Sequence, residues 1–153
     1  MPFLLAAFLL AACLREAASL WLLRRQAASA LRHRDAVPPD FAATVTAREH
    51  ATAADYTVAR ARTAAAAGLL DLALTAAWVL GGLDLLASVI DRHVASPLWQ
   101  DVVLVAAMTA AGALLSLPLR AYATLVVEAR FGFNRTTPRL LAADTLRGAA
   151  WSG

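Results

Sequence analysis

Residues Glu128–Gly148 read EARFGFNRTTPRLLAADTLRG and carry the chain out of one long apolar segment and into another. Gly132 stands between Phe131 and Phe133, so the backbone can bend where two rings need separate pockets. Asn134, Thr136 and Thr137 are residues that hydrogen-bond to nearby backbone in turns and helix caps. Pro138 suits the first turn of a following helix, with Thr137 or Thr136 as its N-cap. From physical chemistry alone, the stretch is a capped connector between two helices.

The flanking segments decide the class. Of 153 residues, 60% are hydrophobic, against roughly 45–50% in an average soluble domain. Mean hydropathy is +0.60, and the excess lies in long blocks, as membrane-spanning helices require. The expected fold is an all-α membrane bundle. It has three spans at about 2–23, 66–90 and 102–127, a cytoplasmic amphipathic helix, and the start of a fourth span from about 138. That last helix stops at Gly153 with no C-cap, no polar tail and too little length to span, which reads as truncation. The whole of 1–153 is then one membrane region.

Net charge is +3, and every basic residue is arginine. The arginines cluster at the edges of apolar blocks, which fits snorkelling and membrane topology and excludes a nucleic-acid-facing stripe. Arg24, Arg25, Arg32 and Arg34 follow the first block, and Arg120, Arg130, Arg135 and Arg139 surround the end of the third. The positive-inside rule therefore places the N-terminus outside and the Phe131–Asn134 bend in the cytoplasm. Arg-for-Lys and alanine-rich usage points to a bacterial inner membrane.

Individual positions test this scheme. Arg15 and Glu16 interrupt the first span. Adjacent residues do not face each other on a helix, so they are no obvious ion pair, and a protein-facing position is expected for them. Thr46 and Glu49 fit a capping box opening the helix Thr46–Arg62, whose charges, Glu49 and Asp55 included, form a solvated face. That helix either lies on the membrane surface or runs straight into the next span. Asp71 and Asp84 interrupt the second span and are placed near its ends or toward the bundle. Gly81-Gly82 permits close helix approach or a kink, and Pro118 bends the third span. Leu10-Ala11-Ala12-Cys13 resembles a lipoprotein cleavage box, but no basic residue precedes Arg15.

Glu128, Phe131-Gly132-Phe133-Asn134, Arg135-Thr136-Thr137 and Asp144 through Arg147-Gly148 together resemble the loop marking the N-terminal membrane region of the CAAX prenyl protease type I family. Weaker matches lie at His33–Ala42 and Tyr56–Arg60. The resemblance implies an integral-membrane zinc metalloendopeptidase. The chain would be its N-terminal portion, and its partners would be the bilayer, a C-terminal catalytic region and a peptide substrate. Zinc is implied for the full-length protein only. The chain has one cysteine, Cys13, and its histidines, His33, His50 and His93, stand far apart with no H-E-x-x-H. No catalytic or metal-ligating residue is therefore expected here. The candidate loop residues are Glu128, Phe131, Gly132, Phe133, Asn134, Thr136 and Thr137, in roles of ring packing, bending and hydrogen bonding. The alternative is a small stand-alone membrane protein that packs helices or binds a partner. A coding sequence continuing to an H-E-x-x-H helix separates the two.

Overall fold

The computed structural model describes residues 2–37 and 44–132. Helix α1 spans Pro2–Arg32 and α2 spans Ala47–Ala77. A π-helical turn at Trp78–Gly82 leads into α3, Leu83–His93. Helix α4 spans Pro97–Tyr122 and passes into a second π-helical stretch, Ala123–Glu128. No strand occurs among the described residues. Three helical units, Phe3–Arg32, Ala47–His93 and Pro97–Glu128, are long and apolar enough to cross a membrane.

Sequence chemistry accounts for the helix limits. At 31 residues, α1 rises about 46 Å, well beyond a hydrocarbon core of about 30 Å. It continues past Leu23 because Arg24–Ala30 contains only good or neutral helix formers. Arg25 sits over the Trp21 ring at 5.5 Å, one turn back, a pairing suited to the membrane boundary. At the start of α2, the Thr46 amide donates to Glu49 Oε2 at 2.9 Å and the Glu49 amide donates to Thr46 Oγ1 at 3.2 Å, closing a capping box.

Helix α2 then runs without interruption from the capping box into the apolar segment. Of the two arrangements open to the amphipathic helix, running straight into the next span is the one observed. Thr63 and Ala64–Ala67 hold helical geometry across the junction, and no proline or turn residue breaks it. The break comes later. Gly81 has φ 141° and ψ −8°, open to glycine but strained for any L side chain, and the helix kinks there. On the far side, Val94–Ser96 turns the chain, Pro97 occupies the first turn of α4, and the Gln100 side chain donates to the Val94 carbonyl at 2.7 Å. Pro118 is accommodated inside α4, and the wider π-helical turns follow it.

Helix α1 packs chiefly along α2, α3 packs on α4, and α2 meets α4 and its π-helical extension. Little is buried in these seams. Among the described apolar residues only Ala54, Ala61, Ile90 and Val127 are, whereas Phe3, Leu10, Leu85, Leu98, Val105 and Leu114 are exposed. The α1–α2 seam also buries a carboxylate. Glu16 is 3% exposed, and its side chain occupies the space that a Cβ on Gly68 would take. Arg15 folds back to Glu16 Oε2 at 3.6 Å while remaining 73% exposed. Neighbouring residues do make an ion pair here, because a long arginine can reach around the helix that separates their Cβ directions. Glu16 faces protein; Arg15 does not.

Because Glu16 and Gly68 share one space, their substitution effects are expected to be non-additive. Gly68→Ala overpacks the seam and should destabilise the detergent-solubilised chain by roughly 1–3 kcal/mol. Adding Glu16→Ala should recover much of that loss. Thermal unfolding followed by circular dichroism reads both; additive losses would show that the two residues do not share the seam.

Candidate functional site

The ends of α1 and α4 and the start of α2 meet in one polar and aromatic cluster. After Arg32 the chain turns through His33–Asp35, with the His33 amide donating to the Ser29 carbonyl at 3.2 Å. This turn presents Arg34 to α2. Arg34 donates from Nε to Asp55 Oδ1 at 2.8 Å and from Nη2 to Asp55 Oδ2 at 2.9 Å. Both carboxylate oxygens are engaged, the fork geometry arginine favours. Close by, the His50 ring Nε2 donates to the His33 carbonyl at 2.8 Å. The turn after α1 is therefore tied to α2 at two points.

The third component comes from α4. Tyr56 follows Asp55 directly, and its ring meets Phe131 edge-on, with centroids 5.4 Å apart and planes at 67°. Arg130 lies over the Phe131 ring at 6.0 Å and adds favourable charge near Asp55. Gly132 then adopts φ 76°, and its amide donates to the Ala129 carbonyl at 3.1 Å, turning the chain away from the helix axis. Glu128 is half-buried one turn earlier. It lines a half-open cavity of about 340 Å³ between α2 and α4, together with Tyr56, Arg60, Asp71, Ser116 and Arg120.

Of the candidate loop residues, the structure places Glu128 on the cavity wall, Phe131 against Tyr56, and Gly132 at a left-handed turn. Phe133, Asn134, Thr136 and Thr137 lie outside the described residues. Asp55, expected on a solvated face, stays part-exposed there and is also the acceptor of the Arg34 fork. His33 is exposed, accepts from the His50 ring at its carbonyl and donates from its ring Nδ1 to the Ser29 carbonyl at 2.9 Å. One signal for the α2 face was present in the sequence. Tyr56, Arg60, Thr63 and Asp71 recur at helical spacing and form a polar stripe across the border of an apolar segment.

The described residues do not fit a zinc site. They contain no group of three or more His, Cys, Asp and Glu placed to hold a metal. The rings of His33, His50 and His93 each donate to a backbone carbonyl.

The Arg34 hydrogen bonds hold the Asp55 carboxyl below its ordinary range, and those from Thr46 do the same for Glu49. A depressed folded-state pKa contributes stability above the unfolded value, and that stability is lost as pH falls through the folded value. Acidification below about pH 4 should therefore loosen the cluster. Hydrogen exchange read by mass spectrometry should accelerate at residues 33–36 and 129–132. Asp55→Asn should show fast exchange there already at neutral pH, and an unchanged profile would contradict the cluster's role. Arg34→Lys should also loosen it, because a point charge cannot supply the two-pronged contact.

Comparison with known proteins bears on what this arrangement belongs to. No curated protein sequence matches the chain. Its fold resembles the crystal structure of S. mikatae Ste24p, with a TM-score of 0.78 at 20% identity. The similarity covers 98% of this chain and 35% of that one, so the chain spans about a third of the neighbour's length. A family model described as CAAX prenyl protease N-terminal, five membrane helices, matches residues 26–152. With that match over most of its length, and three helices fit to span a bilayer, this integral membrane chain belongs to the CAAX prenyl protease N-terminal family.

Proposed function

We propose that the chain is the N-terminal membrane portion of a zinc metalloendopeptidase of the CAAX prenyl protease type, and that the full-length protein hydrolyses peptide bonds. The observation that carries this is the mounted bend. In a chain matched by the family model, Phe131 is seated on Tyr56 and Gly132 turns the backbone at the point where the Phe-Gly-Phe-Asn motif begins. In such enzymes the metal polarises the scissile carbonyl and lowers the pKa of its bound water. Its ligands would come from the C-terminal catalytic region, the partner proposed for this chain, which would also receive the peptide substrate.

The chain's own residues do mechanical work in this scheme. Arg34 and Asp55 lock α1 to α2, Tyr56 carries Phe131, and Gly132 sets the direction of the loop. Glu128, Phe133, Asn134, Thr136 and Thr137 are proposed to complete the loop by hydrogen bonding and ring packing. The spans are assigned to about 2–23, 66–90 and 102–127, with a fourth helix from about 138. The arginine distribution supports an external N-terminus and a cytoplasmic loop in a bacterial inner membrane.

Gly132→Val in the full-length protein tests the assignment. A β-branched residue at φ 76° is strained, so the loop should be displaced. Peptidase activity should fall by an order of magnitude or more, by analogy with the hundredfold cost of a misplaced positioning element. Zinc content and the membrane-inserted yield should stay near wild type. Full activity in the variant would refute the proposed role of the bend.

A further inference from the structure

The cavity between α2 and α4 collects charges that have no ion-pair partner among the described residues. Arg60 and Asp71 line it from α2, and Arg120 and Glu128 line it from α4 and its π-helical extension. Among the described residues, none of these four side chains forms an ion pair or a hydrogen bond with protein. Two arginines and two acidic residues thus line one space of about 340 Å³, with formal charges that are neutral in sum. Charges bordering an apolar segment are costly unless something polar answers them.

Position narrows what that can be. Arg60 stands just before the apolar run 64–90, and Arg120 closes the apolar run 102–119. Arg60 therefore stands where hydrocarbon gives way to headgroups, whichever side that is, and Arg120, about 12 Å along its helix from Glu128, snorkels toward that level. Tyr56, at the start of α2, touches Phe131, beyond the end of α4, so the two helices line the cavity in opposite directions. Glu128 is consequently level with Arg60 at the mouth, whereas Asp71 lies about 16 Å further along α2. Below the mouth an apolar wall of Ala67, Leu70 and Leu119 runs beside Ser116 and Asp71.

We propose that this cavity seats a zwitterionic phospholipid headgroup bearing a phosphate and a primary ammonium. Arg60, and Arg120 extending along the cavity, take the phosphate as charge-assisted donors, and Glu128 accepts from the ammonium. The acyl chains run down the apolar wall. An anionic headgroup would leave the carboxylates facing added negative charge. A quaternary ammonium has no N–H to donate to Glu128. This site goes beyond the proteolytic assignment and does not depend on it.

The test is native mass spectrometry of the chain released from micelles doped with equal amounts of phosphatidylethanolamine, phosphatidylcholine and phosphatidylglycerol. Phosphatidylethanolamine adducts should dominate in the wild type. Arg60→Gln and Arg120→Gln should each reduce them roughly tenfold, the weight of one charge-assisted hydrogen bond. Glu128→Gln should bring phosphatidylethanolamine down to the level of phosphatidylcholine. Circular dichroism identifies any variant that fails to fold, and the three-lipid comparison on wild type decides without it. Equal adducts for the three lipids in the wild type would overturn the proposal, as would folded variants that bind unchanged. Loss of the selective adduct in a chain extended past residue 153 would also overturn it, since the cavity would then be a packing surface for that extension.

Discussion

Helices that keep Leu10, Leu85, Leu98 and Leu114 on the outside cannot be held together by withdrawing those side chains from water. Hydrocarbon must be their solvent, and it gives no hydrophobic reward for helix association. What remains is close packing of small residues and polar contacts whose alternatives in lipid are worse. Both occur. Ala54 and Ala61 are buried on one face of α2, and Gly68 admits the Glu16 carboxylate into the α1–α2 seam.

Under that constraint the polar ends of the helices acquire their importance. Water is available at the boundary, so charge can be held there at low cost, and the specific contacts concentrate there. The Arg34–Asp55 fork fixes the end of α1 on α2, and one residue later Tyr56 receives Phe131 from the end of α4. Two helix ends thus converge on two adjacent residues of α2. Because α2 runs unbroken from its capping box into the membrane, a displacement of the cluster would be transmitted down the helix until the Gly81 kink.

How much of this was legible in the sequence depended on the distance over which each signal acts. Helical class and membrane character follow from composition in blocks. The capping box follows from Thr46 and Glu49 alone, three residues apart. The kink at Gly81-Gly82 was legible because glycine opens backbone space denied to other residues. The Arg34–Asp55 pair was not, since its partners are 21 residues apart and meet only once the α1 turn has docked. The same holds for Glu16 against Gly68, where a charge in an apolar run announced a cost but not its neighbour. Continuity of α2 was open at the sequence level because Thr63 and the alanines after it suit an interfacial helix and a spanning one equally well.

The central claim, that lipid solvates the flanks while a wet polar cluster fastens the ends, can be measured with nitroxide labels on the chain reconstituted in bilayers, using a Cys13→Ser background. Labels at Leu10, Leu85 and Leu114 should relax through collision with dissolved oxygen and be shielded from a water-soluble nickel chelate. Labels at Asp35 and Ala53 should show the opposite preference. Strong quenching of the Leu114 label by the nickel chelate would contradict the account.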